Sequence, residues 1–376
     1  MEELYIYRGA KKLRCGYTTG TCAAAASKAA AEMLLSGKKV SSTELVTPSG
    51  NRLTLSIEAP ELSEDHASCS VIKKSGDDPD VTDGIMVCAE IYRTAGGIEI
   101  TGGEGVGTVT KPGLDQPVGE SAINSVPRRM IAEAVREMAE LYEYRGGFRI
   151  IISVPQGREL ARKTFNPRMG IVGGISIIGT TGIVEPMSSR ALVETIRTEA
   201  NMRKAAGYRY LLLTVGNFSE DFIKLRAGEL SERTVTCSNF IGEALDIGLS
   251  LGFEGILLIG HMGKLVKLGS GIMNTHSTYA DGRMETLMAC GVLAGADNRV
   301  LSQLAGCAVT DAALDILYSS GEAEKVLSVL AERIGYYMSA RVRGEILTGA
   351  VVFSEKHGLT LKTGSADKLI ELISEE

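Results

Sequence analysis

Hydrophobic and polar residues follow two different patterns along the chain, and the pattern changes after Gly146. Before Gly146, the strand-like segments alternate apolar and polar residues, as at Leu53 and Leu55, which is typical of strands with one buried face. An alanine-rich helix is predicted from about Cys22 to Leu35, and an amphipathic helix is predicted within 122–147. The strands predicted between the two helices are 43–47, 52–60, 67–74, 84–93, 97–101 and 107–112.

After Gly146 the strand-like segments become continuous apolar runs, each ending in glycine or a polar turn. Such runs, separated by helical segments, are typical of parallel strands that are buried on both faces. The runs are 148–155, 173–182, 208–216 and 253–261, and helices are predicted around 188–206, 219–227 and 238–251. The remaining chain predicts helices at about 282–295, 298–306, 308–318 and 321–343, a hairpin over 349–363 and a short last helix.

These patterns predict a multi-domain α/β protein. Residues 1–146 are expected to form an α+β two-layer domain with a mixed or antiparallel sheet covered on one face. Residues 147–376 are expected to form a Rossmann-like α/β domain with a mainly parallel sheet and a helical C-terminal part. A length of 376 residues agrees, because it exceeds what one hydrophobic core ordinarily supports.

Composition narrows the class of protein. A net charge of −6 and an aromatic content of 5% argue against a general nucleic-acid-binding face and a stacking platform for single strands. The seven cysteines include no C-x-x-C pair, which indicates free thiols in a reducing compartment. No apolar run approaches the roughly 18 residues of a membrane helix, and no secretory signal is found, so we expect a cytoplasmic protein with no membrane contact.

The start of the alanine-rich helix is the first candidate site. Residues 16–21 hold Thr18, Thr19 and Thr21 beside two glycines. A helix start leaves backbone N–H groups unpaired and carries partial positive charge, so these residues suit an anion. Capping of the helix by Thr19 or Thr21 explains the same residues, and both interpretations stay open at this point.

The loop formed by Gly179, Thr180, Thr181 and Gly182 is the second candidate site. It follows a predicted parallel strand, and ligands of such sheets bind at the carboxyl ends of the strands. Its glycines allow close approach to the backbone, and its threonines supply hydroxyl groups. The loop matches neither G-x-G-x-x-G nor the Walker pattern, so a plain strand-to-helix turn is an equal alternative.

Two loops of the first domain carry weaker signals. The acidic loop 75–84 is either a capped surface turn or the wall of a polar site, and its spacing excludes an EF-hand. The glycine-rich loop 102–113 has no helix directly after it, so it is not a dinucleotide fingerprint. Lys111 within this second loop is a candidate anion contact.

The segment 260–287 is the densest polar cluster of the chain. It contains His261 at a predicted strand end, His276, and the charged residues Lys264, Lys267, Asp281, Arg283 and Glu285. The clustering favours a functional site over purely structural histidines, and the cations suit carboxylates of a ligand. A metal shared by the two histidines is disfavoured, because their spacing is irregular and no third ligand is evident.

Several long segments of the chain resemble the cobalt-precorrin-5B C(1)-methyltransferase family of anaerobic cobalamin biosynthesis. They occur in one order from about residue 13 to residue 287. They are LRCGYTTGTCAAAASKAA, KKSGDDPDVTDG, VTKPGLDQPVGESAINSVPRRMI, ISIIGTTGIVEPMSSRAL, IGHMGKLVKL and HSTYADGRME. The family pattern usually has Thr where this chain has Cys15, and the residue stays small.

This resemblance implies transfer of a methyl group from S-adenosylmethionine to C-1 of the corrinoid ring, which gives cobalt-precorrin-6A. The cobalt arrives within the tetrapyrrole substrate, so no metal site on the protein is expected. As a hypothesis, S-adenosylmethionine binds near Gly179, Thr180, Thr181 and Gly182 in the second domain. Substrate carboxylates are expected at the cleft between the domains, at Thr18, Thr19, Thr21, Lys111, Arg128, Lys264 and Arg283. His261 or His276 is the candidate base, with Asp281 as its orienting partner.

Two functions from other classes stay open. A corrinoid or tetrapyrrole carrier without catalysis needs the same carboxylate-binding groups, but it needs no pocket for a sulfonium. A phosphate-transferring enzyme also uses helix starts rich in threonine and glycine, but the absence of a Walker lysine motif disfavours it. The sequence leaves the oligomeric state undetermined, with a homodimer as one option.

Overall fold

The computed structural model describes residues 4–216, 219 and 228–376. The chain divides into two compact units, Met1–Ser189 and Arg190–Glu376. The mixed α/β class is confirmed, since both units contain sheets and helices and unit 2 contains parallel strands. The helix predicted over 219–227 lies outside the described residues except for Ser219.

Unit 1 is built around a five-stranded sheet with the order β6-β7-β8-β11-β9. In chain order its elements are β1 (Tyr5–Arg8), β2 (Lys11–Arg14), β3 (Gly16–Tyr17), α1 (Thr19–Ser36), β4 (Ser42–Val46), β5 (Arg52–Ser56), β6 (Glu58–Leu62), β7 (His66–Ile72), β8 (Met86–Thr94), β9 (Ile98–Gly102), β10 (Thr108–Val109), α2 (Ser125–Leu141), β11 (Gly147–Ser153), α3 (Gly157–Ala161), β12 (Ile171–Val172) and β13 (Ile183–Val184). The sheet is mixed, because β11 runs antiparallel to β8 and parallel to β9.

Helix α1 lies in the core of unit 1, between the sheet and α2. It contacts α2, β7 and β8, and every residue from 19 to 31 is buried. Alanine side chains allow this close packing, because they are short and lose no rotamer freedom in a helix. The helix ends at Gly37, which adopts the left-handed conformation (φ 70°) that a C-terminal cap requires. The predicted alanine helix is therefore confirmed, with three more residues at its start.

The unit boundary differs from the one predicted after Gly146. Strand β11 was assigned from its apolar run to a parallel sheet of the second domain, but it lies inside the sheet of unit 1. The run 173–182 forms only isolated bridges at Ile175 and Ile177, with the following β13 paired to β3. A continuous apolar run shows that a segment is buried on both faces, and it does not show which sheet the segment joins.

The acidic loop 75–84 is held by a buried ion pair. The Lys73 Nζ, whose side chain is 2% exposed, donates hydrogen bonds to Asp80 Oδ2 at 2.6 Å and to the Ser75 hydroxyl. The Ser75 N–H donates to Asp83 at 2.7 Å, and the Arg14 N–H donates to Asp77 at 2.7 Å. These carboxylates therefore fasten the loop to β2 and to itself, as in the capped-turn alternative.

Unit 2 is built around a five-stranded sheet with the order β15-β14-β16-β17-β18. Its elements are α4 (Ser189–Ala205), β14 (Tyr210–Val215), β15 (Val235–Thr236), α5 (Ile241–Ser250), β16 (Gly255–His261), α6 (Met262–Leu265), α7 (Arg283–Leu293), α8 (Asn298–Ala305), α9 (Thr310–Ser319), α10 (Ala323–Arg341), β17 (Leu347–Ser354), β18 (Leu359–Lys362) and α11 (Ala366–Ser374), with short 3-10 helices at Gly228–Arg233 and Val266–Ser270. Strands β14 to β17 are parallel, and β18 closes one edge in the antiparallel direction.

Both faces of this second sheet are buried, which explains its continuous apolar strands. Leu211, Leu213 and Leu258 point into the larger cluster formed with the helices from α4 to α10. Leu212 and Leu257 point the other way, into a smaller cluster formed mainly with α11. The predicted C-terminal helices, closing hairpin and last helix are all confirmed within a few residues.

We predict that the Asp80→Asn variant destabilises unit 1 by ~3–5 kcal/mol at neutral pH, because it leaves the Lys73 ammonium buried without a counter-ion. Burial raises the pKa of Asp80, but hydrogen bonds from Lys73 and Thr82 outweigh it and hold the pKa below its ordinary value. The stabilisation is therefore complete above the unfolded pKa of about 4, and it is lost as the pH falls through the lower folded pKa. Urea unfolding of both proteins over a pH series measures this difference.

The matched control is Glu44→Gln, because Glu44 forms an ion pair with Arg52 in which both side chains are mostly exposed. It should change the free energy of unfolding by no more than ~1 kcal/mol. Equal losses for the Asp80 and Glu44 variants, or a loss for Asp80→Asn that grows as the pH falls below about 4, would contradict the buried-pair explanation.

Candidate functional site

The threonines predicted to bind substrate lie at the start of α1, where their hydroxyl groups bond within the protein. Thr18 is the cap, since its Oγ1 accepts a hydrogen bond from the Thr21 N–H at 3.2 Å. The Thr21 hydroxyl donates to the Gly182 carbonyl at 2.7 Å, and the Thr18 N–H donates to the same carbonyl at 3.1 Å. Thr18, Thr19 and Thr21 are all buried.

The loop predicted to bind S-adenosylmethionine packs directly on this helix start and belongs to unit 1. The Thr19 Oγ1 accepts from the Ile178 N–H at 2.9 Å, and the Gly20 N–H donates to the Ile178 carbonyl at 3.0 Å. Gly179 has a φ of 143°, and a Cβ placed there would lie 2.1 Å from the Thr18 hydroxyl oxygen. We call residues 18–21 and 178–182 together the helix-start junction.

The helix-start junction corrects two predictions made from the sequence. The loop 179–182 does not follow a strand of a parallel sheet, because β13 pairs antiparallel with β3 and the preceding residues form only bridges. Most N–H groups of the helix start are also taken up within the protein, since the Gly20 N–H donates to the Ile178 carbonyl and the Thr21 N–H donates to the Thr18 hydroxyl. The two predicted sites are brought together, but as hydrogen-bonding partners of each other.

The other two predicted substrate contacts of unit 1 differ from each other in their surroundings. The Arg128 guanidinium donates to the carbonyls of Ile123 and Ile100, each at 2.9 Å, and lies 3.6 Å from the Glu120 carboxylate. It therefore holds loops of the protein together, and its predicted contact with a substrate carboxylate stays a prediction. Lys111 is exposed, and its Nζ lies 3.5 Å from the carbonyl oxygen of Arg168.

Four exposed cations that were not predicted as a site follow β11, and the carbonyl oxygen of Arg168 among them lies 3.5 Å from the Lys111 Nζ. They are Arg158, Arg162, Lys163 and Arg168, all exposed. Their signal in the sequence is a density of four cations in the eleven residues 158–168 of an otherwise acidic chain. The segment lay within the predicted second domain, and no element or site was predicted for it.

In unit 2 the sheet has a reversal of strand order at its carboxyl edge. From β14 the chain moves outward to β15 and then returns to β16 on the other side of β14. Ligands of doubly wound sheets bind in the crevice outside the carboxyl ends of the strands at such a reversal. Gly216 follows β14 there, and His261 ends β16 and is followed by α6.

Lys264 lies at this reversal. A Cβ placed on Gly216 would lie 3.5 Å from the Lys264 Nζ, and partial burial lowers the pKa of the ammonium group. In the described part of the chain, its Nζ takes part in no hydrogen bond or ion pair. The neighbouring Cys237 supplies no negative charge, because burial raises the pKa of its thiol to about 12. Lys264 is thus a half-buried cation that an anionic ligand would stabilise.

The two candidate bases both use Nδ1 for local backbone contacts. His261 caps α6, since its Nδ1 accepts from the Gly263 N–H at 3.1 Å. His276 is exposed, and its Nδ1 accepts from the Thr278 N–H at 3.2 Å and lies 2.7 Å from the Thr278 hydroxyl. In a neutral ring with Nδ1 as acceptor, the proton resides on Nε2, which then donates. Neither geometry favours proton abstraction through Nε2.

The charged residues after α6 are arranged mainly around one another. Asp281 was predicted to orient a histidine, but both of its oxygens accept from the Arg283 guanidinium, one at 2.9 Å. The hydrogen bonds from Arg283 hold the pKa of Asp281 below its ordinary value. The buried Lys267 ammonium donates to the carbonyls of Thr275 and Ala280, at 3.1 and 2.7 Å. Lys267 therefore holds the loop 271–282, and Lys264 is the cation of this group that has no hydrogen-bond or ion-pair partner among the described residues.

Within residues 4–216, 219 and 228–376, no three His, Cys, Asp or Glu side chains form a cluster that suits a metal ion. Helices long and apolar enough to cross a membrane are also absent from this part of the chain. What the geometry offers is one parallel-sheet edge with a half-buried cation in unit 2 and one exposed basic region in unit 1. Both suit organic ligands that carry carboxylates.

Comparison with known proteins identifies the family. Residues 6–186 match the CbiD family, and residues 274–364 match the CbiD C-terminal domain. The cobalt-precorrin-5B C(1)-methyltransferase of Ruminiclostridium cellulolyticum is 46% identical over 94% of this chain and 92% of its own length. The enzyme of the same name from Alkaliphilus metalliredigens is 42% identical over 100% of this chain and 98% of its own length.

One solved structure is also similar in sequence. A cobalamin biosynthesis protein (cbiD) from Archaeoglobus fulgidus is 32% identical, and the match covers 73% of this chain and 86% of that one. Its TM-score of 0.41 is too low to add to the fold assignment.

The fold and the site define an α/β protein with a ligand edge of the kind that small-molecule enzymes use. The relatives from Ruminiclostridium cellulolyticum, Alkaliphilus metalliredigens and Photorhabdus laumondii, which match 90% or more of this chain, carry the name of a methyltransferase. The chain belongs to the CbiD family, as the sequence resemblance predicted.

We predict that Thr21→Val acts on stability, because it removes the donor to the Gly182 carbonyl inside the helix-start junction. The loss should be ~0.5–1.5 kcal/mol in the free energy of unfolding, since the buried carbonyl keeps the hydrogen bond from the Thr18 N–H and loses the second one. Thr180→Val, at an exposed position of the same loop, should change it by less than ~0.5 kcal/mol. Urea unfolding checks both, and an unchanged stability of Thr21→Val would show that its hydroxyl is not needed for the fold.

Proposed function

We propose that this protein transfers the methyl group of S-adenosylmethionine to C-1 of cobalt-precorrin-5B, giving cobalt-precorrin-6A in cobalamin biosynthesis. The observation that carries the proposal is the 46% identity to a cobalt-precorrin-5B C(1)-methyltransferase over 94% of the chain. The match includes both units, so the activity is proposed for the whole chain and not for one of its domains.

We place the methyl donor at the carboxyl edge of the unit 2 sheet, and no longer at the loop 179–182. The donor set fits S-adenosylmethionine, because the molecule carries a carboxylate and Lys264 is a half-buried ammonium without a protein counter-ion among the described residues. Gly216 supports this placement, since it has a φ of 79° and leaves open the space in front of the Lys264 Nζ. The loop 179–182 lacks this fit, because it carries no cation and its Gly182 carbonyl accepts from Thr18 and Thr21 at the helix-start junction.

A bound S-adenosylmethionine would supply an activated methyl group, because its sulfonium sulfur leaves as the neutral thioether of S-adenosylhomocysteine. The protein then has to hold the two reactants in line and exclude water. Lys264 would hold the donor carboxylate by a charge-assisted hydrogen bond. Its position depends on α6, which begins directly after His261.

We assign His261 the role of a positioning residue for α6. Its Nδ1 accepts from the Gly263 N–H, next to Lys264, so it fixes the first turn of the helix that carries the ammonium. The ring also packs edge-on against Phe353 of β17, with 5.6 Å between ring centroids. Both contacts orient the ring for capping, and neither requires that it accept a proton from substrate.

The proposed reaction is tested by incubation with cobalt-precorrin-5B and S-adenosylmethionine labelled in its methyl group. We expect the label at C-1 of the product ring. Binding of the tetrapyrrole without any label transfer would favour a carrier protein and would overturn the proposed reaction.

The donor site is tested separately by calorimetry with S-adenosylhomocysteine and 5′-methylthioadenosine, which lacks the amino-acid carboxylate. We predict that Lys264→Met weakens S-adenosylhomocysteine binding ~10- to 100-fold and leaves methylthioadenosine binding unchanged, because only the carboxylate contact is lost. The control is Lys368→Met in α11. The first residue of this helix, Ala366, lies against Gly349 near the start of β17, so the helix begins at the end of the sheet opposite to the carboxyl edge. Equal affinities of wild type and Lys264→Met for S-adenosylhomocysteine would count against this placement.

The role of His261 is tested by two substitutions. Asparagine caps helices well but is no base, so we predict that His261→Asn keeps turnover within ~3-fold and that His261→Ala lowers it further. The His261→Ala variant should also bind S-adenosylhomocysteine less tightly, since α6 loses its cap. A ~100-fold loss of turnover in His261→Asn with unchanged donor affinity would instead identify His261 as a base.

A further inference from the structure

The exposed cations of the segment 158–168 are unusual for this protein. Arg158, Arg162, Lys163 and Arg168 are all exposed, while the whole chain carries a net charge of −6. Among the residues that the structure describes, none of the four side chains has an ion-pair partner. One carboxylate, Glu159, lies within the segment, so the local charge is strongly positive. Such a local positive potential attracts anions.

Lys111 belongs to the same surface. The Thr110 N–H and hydroxyl both donate to the Gly170 carbonyl, at 2.8 and 2.6 Å, which fastens the two loops together. The Lys111 side chain lies over Gly170, where a Cβ would come within 2.4 Å of its Cγ. Its Nζ lies 3.5 Å from the carbonyl oxygen of Arg168. Lys111 is therefore held beside Arg168, at the end of the segment that carries the other cations.

The segment borders a depression and carries an exposed aromatic ring. The depression has a volume of about 420 Å³, and it is lined by Arg158 and Arg162 together with Glu104, Pro155, Gln156 and Glu159. Phe165 is 64% exposed, although burial of a phenylalanine is ordinarily favourable by ~2–3 kcal/mol. An exposed ring beside cations provides a flat apolar face with charged groups at its margin.

We propose that this basic surface, formed by Lys111, Arg158, Arg162, Lys163, Phe165 and Arg168, binds the carboxylate side chains and the flat ring of a corrinoid. The identity of the macrocycle rests on the proposed function. Guanidinium groups bind carboxylates through paired hydrogen bonds, and the phenyl ring stacks on a conjugated system. A nucleic acid is a poorer match, because the chain is acidic and the surface holds one aromatic side chain.

The experiment uses two corrinoids in the absence of a methyl donor. Cobyrinic acid carries free carboxylates, and cobinamide carries amides in most of their places. Titrations followed by absorbance compare wild type with Arg162→Gln/Lys163→Gln and with Lys38→Gln/Lys39→Gln, an exposed pair outside the surface that changes the net charge equally. We expect the Arg162/Lys163 variant to bind cobyrinic acid ~10-fold or more less tightly than wild type, and to bind cobinamide within ~2-fold of wild type. The Lys38/Lys39 control variant should bind both corrinoids within ~2-fold of wild type.

Phe165→Ala tests the stacking contact. It should lower the affinity for both corrinoids to the same degree, by ~3- to 10-fold, because both present the same corrin ring face to the phenyl ring. The proposal is overturned if wild type does not bind cobyrinic acid, if the Arg162/Lys163 variant binds it as wild type does, or if the control variant loses as much affinity. If the Arg162/Lys163 variant loses binding to duplex DNA and keeps its affinity for cobyrinic acid, the proposal is also overturned, and the surface is assigned to nucleic acid.

These results are independent of methyl transfer. If wild type transfers no methyl group but binds cobyrinic acid through this surface, the proposed function fails and the carboxylate-binding surface is supported. If label reaches C-1 at the wild-type rate in the Arg162/Lys163 variant, and its affinity for cobyrinic acid is also unchanged, the proposed function stands and the surface is wrongly assigned.

Discussion

The first turn of a helix has backbone N–H groups that the helix itself cannot pair, and in a buried helix each of them needs a partner. Because α1 is buried at its start, this requirement shapes unit 1. The Gly20 N–H is paired with the carbonyl of Ile178, and the Gly182 carbonyl accepts from the Thr18 N–H and the Thr21 hydroxyl, so the partners lie about 160 residues later in the chain. The hydrogen bonds bring residues 178–183 onto the helix, pair β13 with β3, and so include everything up to Ser189 in the first unit.

Local patterns predicted the elements well, and non-local pairing explains where prediction failed. The period-two strands, the alanine helix and the C-terminal helices were found because their signals lie within a few residues. The run 148–155 was recognised as a buried strand, but only its register with Arg93 and Ile98 shows that it belongs to unit 1. Thr21 was predicted as a ligand contact for the same reason, since the carbonyl that accepts its hydrogen bond, Gly182, cannot be identified from nearby sequence.

Charge also divides into two classes that sequence cannot separate. Lys73 and Arg128 are engaged by the protein's own oxygens, so they hold loops in place. Lys264 and Arg162 have no such partners among the described residues, so they remain able to meet a ligand. Both classes look alike in the sequence. Burial and hydrogen bonding distinguish the two classes, and neither is visible in the sequence. Arg128 was therefore predicted as a substrate contact and Arg162 was not.

The helix-start junction also bears on how the chain folds as it is synthesised. Domains generally fold as units during synthesis, once all of their strands are available. Unit 1 lacks β11 until Ser153 has emerged, and its buried helix start stays incompletely paired until Ile183 has emerged. Unit 2 waits longer, because β16 pairs with β17 only when residues 347–354 are made. The order of synthesis thus leaves the alanine helix without its covering helix α2 until Leu141 has emerged, and leaves its start without the Gly182 carbonyl until later still.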